Sequence, residues 1–176
     1  MRFPGLERVG LPARLAEIQP GRLHPDGRRY LPLLVLEIDG QLLGVTDRHH
    51  RVDSGALGAT GTARLVFHLS RLRLQPAGAR REGLAQPGAG LMLAPTAWGR
   101  ISEVLAWEQH RKLGYDSLYT ELLIDIGLGA IGLRTNVTGE SLAVQLGAER
   151  LAAGDWVVLE QSRIDILAFE PAGRTP

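Results

Sequence analysis

Four clusters of side chains in this sequence have types and spacings that could do chemistry, and each reads as a contact for anions. Arg48-His49-His50-Arg51, flanked by Asp47 and Asp53, is the densest polar run. Adjacent histidines on an extended chain point to opposite sides and no third ligand follows at helical spacing, so no metal site is expected. The run reads as a polar loop in which Arg48, His50 and Arg51 could touch phosphates. Arg22, Arg28, Arg29 and Tyr30 bracket a turn-rich stretch. Guanidinium forks neutralise phosphate and a nearby phenol ring can stack a base; the alternative is a solvated turn. Arg64, His68, Arg71 and Arg73, followed by Arg80 and Arg81, form either a second basic strip or an exposed strand face with a basic linker. Trp107, Arg111, Lys112, Tyr115 and Tyr119 interleave three rings with two cations. Trp98 and Trp156 read as core or inter-module packing positions.

No catalytic constellation accompanies these clusters. Ser54 and Ser141 have no identifiable base, and no paired-carboxylate motif occurs. Gly127 to Gly132 matches the GxGxxG spacing but lies between predicted strands, whereas a dinucleotide site opens a helix. The expectation is a non-enzymatic protein with no catalytic residues and no cofactor. With no cysteine, disulfides and thiolate metal sites are excluded. At 44% hydrophobic and 22% charged residues the composition is that of a soluble globular chain. No apolar run approaches the roughly 20 residues that span a bilayer. Met1 to Gly5 lacks the apolar core of a secretory signal. A cytoplasmic protein without membrane contact is expected, so the glycosylation triplet Asn136-Val137-Thr138 carries little weight.

Charge is unevenly divided. Residues 1–96 hold thirteen arginines against eight acidic groups, a net +5, and residues 97–176 hold seven basic against eleven acidic groups, a net −4. Such asymmetry fits a first half that meets a polyanion, or two halves that attract each other.

The elements that must position these residues occur twice. Ala13 to Ile18 returns as Gly99 to Val104, Leu34 to Ile38 as Leu122 to Ile126, and Ser70 to Leu74 as Ser162 to Ile166, with Gly44 answered by Gly132. The pattern predicts an all-β chain of two tandem five-stranded Greek-key barrels, each with a short helix: residues 1–95, including a loop at 76–90, and residues 96–176. Modules of this size have thin cores, which favours packing together or oligomerising. Asp39-Gly40 predicts a tight hairpin turn between strands at 30–39 and 41–46. The predicted strands 62–74 and 155–169 each change apolar phase at a serine, Ser70 and Ser162, the mark of a bulge or bend. Leu142, Leu146 and Leu151 predict a helical segment over 140–152, closed by Gly154.

The first module resembles the bacterial single-stranded DNA-binding proteins and the related primosomal replication protein. The likeness lies in Leu15-Ala16-Glu17-Ile18, Arg22-Leu23-His24-Pro25-Asp26-Gly27 and Leu33-Leu34-Val35-Leu36-Glu37. In the second module it lies in Gly139 to Ala143 and Gly154 to Glu160. This implies the oligonucleotide/oligosaccharide-binding fold and a groove for single-stranded nucleic acid, with DNA as the expected partner. Members of those families stack bases on rings of strands two and three; Leu33 to Thr46 has no ring, so phosphate contacts would dominate here. The expected contacts are Arg22, Arg28, Arg29, Tyr30, Arg48, His50, Arg51, Arg64, Arg71 and Arg73, with Trp107, Arg111, Lys112, Tyr115 and Tyr119 in the second module. That module would otherwise serve a homo-oligomer or a partner protein. Thr138 to Leu142, Leu146-Gly147, Gly154-Asp155 and Ser162-Arg163-Ile164 are also similar to molybdate-binding barrel domains, which implies an oxyanion near Thr138, Ser141 and Arg163. A structural subunit of a larger assembly is the third reading.

Overall fold

Alternating burial along short segments builds eleven strands in the computed structural model, which describes residues 3, 5–68, 71–86, 88–105, 120–160 and 162–173. In β1 (Leu11–Gln19), Leu11, Ala13 and Leu15 point inward and Pro12 and Arg14 outward. β2 (Leu33–Ile38) and β3 (Gln41–Thr46) form the hairpin expected at Asp39-Gly40, both turn residues having positive φ, 49° and 72°. That is the conformation a two-residue hairpin turn needs. β4 (Thr60–His68) returns to β1 through Ala63↔Leu11. The strand that closes the ring comes from the far end of the chain. β11 (Arg163–Pro171) lies between β3, which it meets in parallel at Thr46↔Asp165, and β4, which it meets antiparallel. The order β1-β2-β3-β11-β4-β1 is a closed five-stranded barrel.

The remaining strands extend this barrel. β7 (Thr96–Leu105), β8 (Glu121–Asp125) and β9 (Ala130–Arg134) form a meander. β10 (Trp156–Glu160) pairs with the other edge of β7, and β5 (Arg71–Leu74) lies beyond β10. The short β6 (Gly83–Ala85) also pairs with β7. Val66 to His68 of β4 run parallel to β9, so all eleven strands belong to one hydrogen-bonded sheet. Among the described residues, no pairing of β5 with β9 closes the second group.

Each half therefore gives a strand to the other. Residues 61–68 run antiparallel to 163–171, from Gly61↔Pro171 to His68↔Arg163, and residues 71–74 run antiparallel to 157–160, from Arg71↔Glu160 to Leu74↔Val157. The phase change at Ser162 separates β10 from β11, which is how the second half obtains a further strand; Ser70 lies outside the described residues. One buried cluster spans both groups, from Leu15, Leu36, Leu65 and Phe67 to Ile101, Ile124, Leu133 and Leu159.

The exchange also involves the segments leading into each half. Phe3 packs on Gly132 of β9, and Met92-Leu93 cross Gly44 of β3, with the Gly44 N–H donating to the Met92 carbonyl at 2.8 Å. A Cβ at Gly132 would stand 2.7 Å from the Phe3 ring, and one at Gly44 2.7 Å from Leu93. The repeated glycine marks the place where the other half crosses over. The helix is shorter than the leucine spacing predicts: α1 spans Gly139–Gln145. Gly147, at φ 67°, closes it ahead of Gly154, because a residue without Cβ adopts this capping conformation readily.

Candidate nucleic-acid interface

The loop between β1 and β2 is an ordered arm. Leu23 bridges Arg29, the Tyr30 N–H donates to the Arg22 carbonyl at 2.9 Å, and the His24 N–H donates to the Arg28 carbonyl at 2.7 Å. Asp26 sets the tip: its Oδ1 accepts the Arg28 N–H at 2.9 Å, a side-chain turn that an aspartate favours. The base of the arm is tight. A Cβ on Gly21 would come within 1.6 Å of the Tyr30 carbonyl oxygen, so only glycine lets the two limbs meet there. His24 and Tyr30 rings meet edge-on at 5.5 Å. Tyr30 is 59% exposed and Leu23 64%. Arg29 Nη1 donates to the Gly21 carbonyl at 3.2 Å, and among the described residues the guanidinium groups of Arg22, Arg28 and Arg29 meet no carboxylate.

Opposite the arm stands the loop after β3. Asp47, 2% exposed, accepts the Arg51 and Val52 N–H groups at 2.9 and 3.0 Å and so shapes this loop. His50, Tyr30, Arg29 and Pro32 line a cavity of about 270 Å³ between the two. Gln19, Arg22 and Leu31 border another of about 360 Å³ on the flank of the arm.

The rest of the expected basic groove has a different environment. Arg64 Nε and Nη2 fork Glu170 at 2.8 and 2.9 Å, while its Nη1 donates to the carbonyls of Leu6 and Val9. Arg73 forks Glu160 at 3.2 and 2.6 Å, and Arg71 lies 3.8 Å from the same carboxylate. Buried Asp165 gathers His68 at 2.9 Å, Arg163 at 3.1 Å and Arg48 at 3.4 Å. Arg51 donates to the Leu167 carbonyl and Arg8 pairs with Glu103. Nearly all of these partners belong to the acidic half of the chain, so the two halves do attract each other. Arg14 pairs with Glu37 inside the barrel half. Trp107, Arg111, Lys112, Tyr115 and Tyr119 lie outside the described residues.

The pairs displace ionisation. Burial pushes the Asp165 carboxyl up, but the His68 hydrogen bond and the Arg163 charge outweigh it, leaving it below its usual 3.8. The Arg64 bond holds Glu170 below its usual 4.5, and Glu170 in turn raises Arg64. Glu121 is fully buried beside Arg134, whose Nε is 2.5 Å away; burial raises its carboxyl more than Arg134 lowers it.

Thr138 and Ser141, the residues of the oxyanion expectation, lie at the start of α1. Their hydroxyls meet at 3.0 Å and Thr138 caps α1 by accepting the Ser141 N–H, while Arg163 is engaged with Asp165. Among the described residues no three His, Asp or Glu side chains gather as a metal would require, and no helix is long and apolar enough to cross a membrane. Trp98 and Trp156, read from the sequence as core or inter-module packing positions, are half-buried on the outer face of β7 and β10. Comparison with family models, curated proteins and solved structures finds no match for the chain.

Proposed function

We propose that this chain is a non-enzymatic protein that binds single-stranded nucleic acid at the β1–β2 arm of an oligonucleotide/oligosaccharide-binding type barrel. The order of the closed barrel, with its parallel contact between the third strand and the closing strand, supports that fold, whose first loop commonly reaches over an oligonucleotide. The observation that carries the reading is the contrast in charge. The guanidinium groups of Arg48, Arg64, Arg71 and Arg73 face carboxylates, whereas those of Arg22, Arg28 and Arg29, on the arm, meet none among the described residues. An exposed Tyr30 beside them supplies a face for a base, and stacking of this kind tolerates any sequence. The cavity of about 270 Å³ between the arm and the His50 loop, lined by Tyr30, Arg29 and His50, supports the same reading. Fluorescence anisotropy with labelled oligo-dT tests this: binding at low salt that weakens steeply as salt is added is expected, and no binding at low salt rejects the reading.

A further inference from the structure

A second cationic and aromatic surface lies away from the arm. β7 turns Ala97, Gly99 and Ile101 into the core and Trp98 and Arg100 outward. On β10, Trp156 sits opposite Arg100 and Val158 opposite Trp98, so two indoles share one outer face. The loop after β5 lies over them. The Arg81 guanidinium carbon is 3.6 Å from the centre of the Trp98 ring, and that of Arg80 is 5.9 Å from Trp156. A guanidinium at that height over an indole is held by the ring quadrupole.

This loop is pinned from beneath. Gln75, 7% exposed, donates through Nε2 to the carbonyls of Arg81 and Val157 at 2.9 and 2.8 Å, and its Oε1 accepts the Arg81 N–H at 2.9 Å. One buried amide thus ties β10 to the loop and fixes where both arginines stand. Between them is an open cavity of about 440 Å³ bordered by Gln75, Pro76, Arg80, Arg81, Trp98 and Val158. That volume falls within the roughly 300–1,000 Å³ of small-ligand sites. Among the described residues Arg80, Arg81 and Arg100 meet no carboxylate, and Glu160 on the same strand is engaged by Arg71 and Arg73.

We infer that this face is a second contact for the same single strand, in which a base stacks against the Trp98–Arg81 pair while Arg80 and Arg100 neutralise phosphate. It rests on the nucleic-acid reading above and supplies the ring platform that β2 and β3 lack. An unpaired base fits because both indole and guanidinium planes stack bases, and the surrounding charge favours a polyanion. Gln75 is a positioning residue, acting through the loop that it anchors.

The test titrates the full chain with oligo-dT, reading anisotropy on the native sequence and emission on Trp107→Phe, so that emission comes from Trp98 and Trp156. Quenching that saturates together with anisotropy is expected. Arg80→Ala/Arg81→Ala, at exposed positions, should weaken binding at least about fivefold, and Trp98→Leu should do the same. Binding that depends on Arg28 and Arg29 but is unaffected by all of these substitutions, without quenching, overturns this inference and leaves the arm in place. Quenching and loss in Arg80→Ala/Arg81→Ala, with Arg28→Ala/Arg29→Ala unaffected, upholds this face and removes the arm. No anisotropy change at low salt overturns both.

Discussion

Arg64 and Arg28 are the same residue type with opposite roles, and the difference lies in what surrounds each guanidinium. Arg64 reaches the Leu6 and Val9 carbonyls and a bidentate carboxylate, Glu170. Arg64→Met is therefore expected to cost about 2–3 kcal/mol in urea unfolding, since hydrogen bonds to charged groups are lost and two carbonyls are left open. Arg28→Ala should leave stability within about 0.5 kcal/mol, as exposed positions do. The sequence shows these cations but not which carboxylates meet them, because Glu170 lies 106 residues beyond Arg64 and Glu160 lies 87 beyond Arg73. Ionisation makes a second prediction. Asp165 and Glu170 have folded values below their usual 3.8 and 4.5, so the unfolded chain takes up protons first as pH falls. Their contribution is complete above those usual values and is lost as pH drops through the depressed ones; Glu121, raised by burial, works in the opposite sense. Thermal melts from neutral to acid pH should show stability falling below about pH 4, and Asp165→Asn should make that fall shallower.

Strands, turns and phase changes were largely legible because each follows from local sequence. Asp39-Gly40 sets a hairpin by its own backbone preference, and the break at Ser162 is visible in the apolar alternation alone. The end of α1 was less so, since two glycines could cap the segment and Gly147 acts first. For Trp98 and Trp156 the sequence left core and inter-module packing open; register places both on the outer face, beneath Arg81 and Arg80 of the first half. Elements also differ in what they tolerate. Gly132→Val drives a side chain into Phe3 and Val66, and should destabilise by about 1–3 kcal/mol in chemical denaturation, the usual cost of overpacking. Gly21→Ala separates the limbs of the arm at Tyr30. It should weaken oligonucleotide binding while changing the melting temperature little, because the arm adds almost nothing to the buried cluster.

For the whole molecule, three repeated segments in fixed order could be read from the sequence, whereas the interleaving could not, since a repeat gives no information about which copy of a strand fills which place. β11 closes the barrel begun at β1, and the acidic half supplies carboxylates to the basic one. Residues 1–95 alone lack that strand, and as an isolated fragment should show no cooperative melt; co-expression with residues 96–176 should restore one. The balance of charge follows from the same exchange: pairing between halves leaves the cations of the first half that meet no carboxylate among the described residues on the arm, at Arg22, Arg28 and Arg29, and on the loop after β5, at Arg80 and Arg81. The most direct test is the salt dependence of oligo-dT binding for the native chain and for Arg22→Ala/Arg28→Ala/Arg29→Ala. Two or three phosphates neutralised by the arm give a slope of log K against log salt of about −1.4 to −2.1, and the triple substitution should bring this contribution close to zero with a matching loss of affinity at low salt. Equal affinities and equal slopes for the two proteins would contradict the account.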